Sequence, residues 1–564
     1  MMQSTPINLN TLPFSRLDWA FAEFLSQRSC LKAEQKPRFK NLVAELSFEQ
    51  SQGHSCLRIN RNDQQLALAS GLALSIDVQD DAPDLSLKPL IVQENCLYMH
   101  RYWFYETRLA TQLKQLLVIN YQVDDLNTAL DHYFPVQQDD FQAIDWQREA
   151  AKMALTQAFS MVTGGPGTGK TTTVVKILAL LQQASLQPLH IALAAPTGKA
   201  AMRLQESIGH SKHGLNCTDK LKQSIPEEVT TLHRLLGAKP PPSPYFKHHA
   251  ENPLPYDVVV IDEASMVDLA LMSKLMDALK PTARLILLGD KDQLASVESG
   301  SVLADLTMSL KNHTVELLKS HRFGGVIKEL AAAINKQQGL KAWDLLTTPN
   351  ETITVLTQNS LNYMADKQRP FLTLAQQHAS FDSIYAAFNQ FQVLCSNRNG
   401  PNGVNEINRL VEKKLGLSGH WYNGRPIMIT KNDVATQLYN GDIGLCLSDN
   451  SQYGQLRVYF LLADGSIKKI LPSRLPACET VFAMTIHKSQ GSEFNEVLIA
   501  LPDTLNPVLT KELIYTGITR AKKTVTVVAH KAVFINAVAQ KVARYGGLIA
   551  KMKGHYDATI IRSS

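Results

Sequence analysis

The sequence predicts an α/β protein with two parallel sheets, each covered by helices on both faces. Three observations carry that expectation. From about residue 145, short apolar β-rich runs recur, each ending in a polar or glycine-bearing turn and followed by a helical pattern. Strands buried on both faces read as unbroken apolar runs, whereas half-exposed strands alternate. The runs fall into two clusters, at roughly 145–335 and 390–530. Between Arg425 and Glu479 the texture changes to strand-like pieces separated by Asn440-Gly441 and Asp464-Gly465. Such dipeptides turn antiparallel strands, so a small β barrel or sheet is expected there, inserted in the second cluster.

Residues 1 to about 115 alternate short helical and strand-like patterns without a recognisable chemical motif. The first cluster contributes runs at 159–162, 191–195, 258–261 and 285–288; the second contributes 393–395, 497–500 and 525–529. The segment 239–255 holds six prolines among 17 residues, which excludes regular structure. With 564 residues, three units are expected: 1–115, 116–340, and 341–564 carrying the insertion at about 425–478.

Bulk properties narrow the class without naming it. A formal charge of +6 and a pI near 8.7 suit a polyanionic partner but do not require one. The seven cysteines are scattered with no CxxC pair, which argues against a disulfide framework or a zinc site. Met1 to Pro6 show no basic region followed by an apolar run, and no stretch approaches the ~20 apolar residues a membrane span needs. The expectation is a cytoplasmic protein with no membrane partner.

Gly164-Gly165-Pro166-Gly167-Thr168-Gly169-Lys170-Thr171 satisfies GxxxxGK[ST], follows an apolar run and opens a helix-compatible stretch at 172–181. Glycines let backbone N–H groups close around a triphosphate, and the helix N-terminus adds positive potential. Lys170 is expected on the β and γ phosphates, Thr171 on Mg²⁺, and Thr172 beside them in the nucleotide site. At 258–261, four apolar residues deliver Asp262 and Glu263 to a strand end. There Asp262 is suited to hold Mg²⁺ and Glu263 to polarise the attacking water. The run 285–288 ends in Gly289-Asp290-Lys291-Asp292-Gln293, which puts Gln293 where a γ-phosphate can be sensed. An acidic stretch, Asp77 to Asp81, shows no strand-borne nuclease pattern and reads as a solvated loop.

In order along the chain, these residues resemble superfamily 1 helicases of the B branch. Asp145-Trp146-Gln147 looks like the Q-type motif, Ala195-Pro196-Thr197-Gly198-Lys199 like motif Ia, and Thr231-Leu232-His233-Arg234 like the strand-binding motif that follows it. Ser320-His321-Arg322-Phe323 looks like motif IV, Met484 through Phe494 like motif V, and Tyr515 through Lys522 like motif VI. More narrowly, His100 through Glu106, the proline-rich loop and Tyr439-Asn440-Gly441-Asp442-Ile443-Gly444 resemble the RecD family, the alpha subunits of the bacterial exodeoxyribonuclease V complex, RecBCD.

The resemblance implies two RecA-like lobes with an SH3-like barrel inserted in the second, and an ATP-dependent 5′→3′ DNA helicase. It implies Gln147 and Glu493 as nucleotide contacts, and Arg322 and Arg520 as arginines for the γ-phosphate. Thr197, Lys199, Thr231, His233, Thr485, His487 and Lys488 are the implied DNA contacts. The implied partners are single- and double-stranded DNA ends and the beta and gamma subunits. Residues 1–115 would then serve docking, with the nuclease on another chain. A clamp that never moves along DNA would need neither motif V nor motif VI. A nuclease with an ATPase module would need a second carboxylate cluster.

Overall fold

The computed structural model describes residues 14–76, 88–135, 144–239, 245–319, 325–433, 435–450, 453–462 and 465–553. The acidic stretch 77–81 and the motif IV segment 320–323, with Arg322, lie outside the described residues.

The N-terminal part is α/β. Strands β1 (Leu57–Arg58), β2 (Ala73–Ser75), β3 (Leu90–Gln93) and β4 (Cys96–Met99) form a sheet in the order β1-β4-β3-β2. Helices Arg16–Arg28, Lys36–Ser51 and Arg61–Ala69 accompany it. The first begins with a capping box. Ser15 accepts from the Asp18 amide, and Asp18 accepts from the Ser15 amide, so two otherwise orphaned donors are satisfied.

Six parallel strands form the next sheet: β5 (Phe159–Thr163), β6 (Ile191–Ala195), β7 (Val229–Thr231), β8 (Val258–Ile261), β9 (Arg284–Gly289) and β10 (Thr314–Glu316), in the order β10-β5-β9-β8-β6-β7. Side chains alternate across a strand, and here that alternation splits one apolar run into two cores. Val258 and Val260 join a core with Val174 and Leu178 on one face; Val259 and Ile261 join Leu271 and Leu275 on the other. That is why these strands read as continuous apolar runs. The edge strands β7 and β10 are short and only partly buried, and apolar patterning did not reveal them.

The second parallel sheet runs β11-β20-β19-β12-β18, from β11 (Ile353–Val355) and β12 (Phe391–Cys395) through β18 (Ala483–Thr485), β19 (Phe494–Ala500) and β20 (Ala521–Val528). Between β12 and β18 lies a separate antiparallel sheet, as the turn pattern leads one to expect. It contains β13 (Arg425–Ile429), β14 (Ile443–Asp449), β15 (Gln455–Leu461), β16 (Ile467–Ile470) and β17 (Cys478–Thr480), ordered β16-β15-β14-β13-β17. Buried Asn408 fixes its exit, donating to Thr480 O and Ala483 O at 2.9 and 3.0 Å and accepting from Ala483 N at 2.8 Å.

Two segments cross the expected divisions. Helix His100–Leu117 packs Trp103 with the N-terminal sheet, yet Leu109, Leu113 and Leu116 join a core of the first parallel sheet. Beyond the helix Lys531–Ala539, the chain returns to that same core through Leu548 and Met552. Among the described residues no helix is long and apolar enough to cross a membrane.

Candidate nucleotide and strand-binding site

The glycine-rich loop joins β5 to the helix Lys170–Ala184, longer at both ends than the 172–181 expected. Gly169 has φ +82°, and a Cβ there would lie 2.8 Å from the Gln147 amide nitrogen. Only glycine permits both that conformation and that approach, so the loop stays open for phosphates with Gln147 folded against it. Lys170 Nζ donates to Gly164 O at 2.6 Å and Gly165 O at 3.1 Å, both within its own loop.

A cleft of about 640 Å³ opens above this loop. Gln147, Pro166 through Thr172, Asp262, Glu263 and Gln293 line it from the first lobe, and Glu493 and Arg520 line it from the second. The structure therefore brings together residues that the sequence spreads over more than 370 positions. Burial, and then the neighbouring Glu263, push Asp262 up to about 6. Its carboxylate shares the cleft with the Thr171 hydroxyl, a hard-oxygen donor pair that fits a nucleotide-borne divalent cation. Glu263 sits at φ +51°, in the left-handed region, and its amide donates to Asp262 Oδ1 at 2.8 Å. Such strain in a non-glycine residue collects at functional sites.

Arg520 is 2% exposed, although it is an arginine. It donates to Gln293 Oε1 at 2.7 Å, Thr516 O at 3.1 Å and Ser492 O at 3.3 Å. Gln293 in turn donates to Asp290 Oδ2 at 3.0 Å, which also accepts from Tyr515 OH at 3.0 Å. Burial raises the Asp290 pKa. Two further bonds cross between the lobes: Leu294 N to Thr516 Oγ1 at 2.9 Å, and Gln490 Nε2 to Leu294 O at 3.1 Å.

Arg203 and Lys522 also line the cleft; sequence reasoning missed Arg203 and named Lys522 only as the end of motif VI, with no role. Glu493 pairs with Arg203, and Lys522 approaches it at 3.3 Å, so an expected nucleotide contact is held by two cations. Burial, with Arg520 nearby, pulls Arg203 down to about 10. Its one available signal is position, four residues after Lys199 on the helix Gly198–His213. Thr172, by contrast, contacts Ser211 at 3.3 Å at the rim.

The strand-contact candidates cluster at the carboxyl ends of β6, β7 and β18 and on the helical turns that follow them. Three are caps or turn formers: Thr197 accepts from Ala200 N, Thr231 from Arg234 N, and Thr485 from Lys488 N. These hydroxyls thus serve their own segments of chain. His233 stands exposed with its ring 5.8 Å from Phe246, while His487 is half-buried, and burial lowers the pKa of His487. Lys488 Nζ reaches Asn440 Oδ1 at 2.5 Å. Arg234 lies 4.7 Å over the Tyr439 ring, and Asp442 faces Lys199. The turn between β13 and β14 thus engages basic groups of both lobes.

A phosphate loop and paired carboxylates in a cleft that both parallel sheets line are the arrangement of an ATP-hydrolysing helicase motor. Family models agree with it in order: "AAA domain" matches residues 147–299 and "UvrD-like helicase C-terminal domain" matches 480–528. A third, "RecBCD enzyme subunit RecD, N-terminal domain", matches 12–89. RecBCD enzyme subunit RecD of Haemophilus influenzae is 35% identical, covering 95% of this chain and 97% of its own. That of Mycolicibacterium smegmatis is 40% identical over 81% of this chain and 82% of its own. The chain belongs to the RecD family. It is also similar to the ATP-dependent RecD2 DNA helicase of Deinococcus radiodurans, at 27% identity over 88% of this chain and 64% of that one. A crystal structure of Bacteroides Pif1 bound to ssDNA covers 74% of the chain, and 97% of its own, at 18% identity and a TM-score of 0.43.

Proposed function

We propose that this chain is a 5′→3′ translocating subunit of a helicase–nuclease that works at double-strand DNA ends, in recombinational repair and DNA degradation, in the bacterial cytoplasm at the nucleoid. Its partners are the beta and gamma subunits of exodeoxyribonuclease V, one of which carries the nuclease. Residues 1–115 dock them, 116–340 form the first motor lobe, and 341–564 form the second with its insertion. The observation that carries the motor reading is Arg520, delivered by the second lobe into a cleft whose loop and carboxylates belong to the first.

In this reading Lys170 leaves its loop carbonyls for the β and γ phosphates, while Thr171 and Asp262 hold Mg²⁺, which supplies charge neutralisation when bound. Glu263 takes the proton of the attacking water. Arg520 meets the charge developing on the γ-phosphate, and Gln293 reports its departure through the bond the two share. The DNA candidates then bind backbone phosphates without reading bases. ATP hydrolysis by the full chain, with and without single-stranded DNA and beside Lys170→Gln, tests this. Strong stimulation by DNA that the substitution abolishes supports it. Hydrolysis that ignores DNA even with both partner subunits present would sink it.

A further inference from the structure

The loop between β9 and the helix Val302–Ser309 has no regular structure, so its backbone groups need partners from elsewhere. Three of its carbonyls converge on one side chain from the far end of the chain. Arg544 donates to Ser296 O at 2.5 Å, Gly300 O at 2.8 Å and Glu298 O at 3.0 Å. The N-terminal part completes the grip: Gly300 N donates to Gly53 O at 2.9 Å, and Ser299 Oγ donates to Gln50 O at 3.2 Å. Gly53 has φ +93°, and a Cβ there would lie 2.9 Å from the Arg544 guanidinium carbon. Arg544 itself arrives on a strap between the helix Lys531–Ala539 and the buried Leu548 and Met552, which pack into the core of the first parallel sheet.

The same loop starts at Gln293 and Leu294, which hold Arg520, Thr516 and Gln490 of the second lobe. Its middle touches the carboxylate turn, because Ser296 N donates to Ser265 O at 3.1 Å. We propose that Arg544 is a positioning residue for ATP hydrolysis. It clamps Ser296 to Gly300 so that Gln293 presents Arg520 to the γ-phosphate, and it does so without touching nucleotide. Through Gln50 and Gly53, the N-terminal part then bears directly on the hydrolytic site.

The inference rests on the nucleotide-site reading above, and the test separates the two. Affinities of the full chain for ADP alone and for ADP with aluminium fluoride are measured for wild type, Arg544→Met, Arg544→Lys and Gly53→Ala. A misplacement of about 1 Å at a remote support can weaken transition-state stabilisation by up to ~100-fold. Arg544→Met should therefore keep its ADP affinity within about twofold and lose about 10- to 100-fold for the aluminium fluoride complex. Arg544→Lys keeps donors at this position but not the planar fork, so it should recover only part of that loss. Gly53→Ala should shift the two affinities apart in the same direction, since it displaces the guanidinium without removing it. An unchanged ratio of the two affinities in Arg544→Met and Gly53→Ala overturns the proposal, whether both fall together or neither does. A wild-type chain that fails to bind ADP overturns the site reading and this inference with it.

Discussion

Gln293 Oε1 accepts a hydrogen bond from Arg520 Nη2 at 2.7 Å, joining the loop after β9 in the first lobe to the end of helix Lys511–Ile518 in the second. Both side chains are buried, and every nitrogen of the guanidinium has an acceptor. The contact couples the two lobes at the point where phosphate chemistry is expected, and the first prediction concerns it.

Replacing Arg520 by alanine should lower kcat by ~10³–10⁵, the usual effect of losing such an arginine, while ATP binding changes little. Lysine should not rescue it, because a single ammonium cannot reproduce a planar fork that meets Gln293, Thr516 and Ser492 together. Steady-state hydrolysis with saturating single-stranded DNA measures the effect. An Arg520→Lys enzyme within a few-fold of wild type would show that charge alone matters there.

Glu263→Gln should retain nucleotide affinity and lose ~10²–10⁴ in the hydrolytic step, the range for removing a general base. Rapid-quench measurement of a single turnover distinguishes this from impaired binding. A variant that fails to bind ATP would instead make the strained turn at φ +51° a structural support.

Burial pulls Lys199 down to about 8, against the pull of Asp442 and with the help of Arg203 and Arg520. The ammonium is present below that pH and is lost above it, so affinity for single-stranded DNA should fall as pH rises from 7 to 9. The contact to one phosphate sets the scale, on the order of fivefold. Lys199→Arg, which stays charged, should flatten the profile in fluorescence anisotropy titrations. An equally steep profile in that variant would assign the titration to another group.

Asn408→Ala leaves Thr480 O, Ala483 O and Ala483 N without their partner at the root of the inserted sheet. Each buried unmet group costs about 1–3 kcal/mol, so a loss of roughly 2–4 kcal/mol of stability is expected. Urea unfolding measures it, and a change under ~0.5 kcal/mol, the size of an ordinary surface substitution, would show that the root is held otherwise.

Much of the fold could be read directly because the information is local. The runs that became β5, β6, β8 and β9 are buried and mostly apolar, with Ser160 and Thr163 the polar residues of β5, and the inserted sheet announced itself by turn dipeptides. Edge strands β7, β10 and β11 are three residues long and incompletely buried, too short for periodicity to register. The threonines named as strand contacts illustrate a different limit. The hydroxyl that suits a phosphate also suits a helix N-cap, and Thr197 and Thr231 serve as caps.

By itself, the sequence determined the phosphate loop, the paired carboxylates and the order of the motifs, since each depends on neighbours a few residues apart and on one strand or helix end. Only the tertiary structure decided which of the basic groups enter the cleft. Arg203 is an ordinary helical arginine until the second lobe brings Glu493 against it. Arg544 carries no motif, and its three carbonyl partners lie more than 240 residues away. Contacts of that kind exist only after two sheets, a strap and an N-terminal domain have packed, because their geometry is set by the buried apolar faces and not by the residues that finally touch.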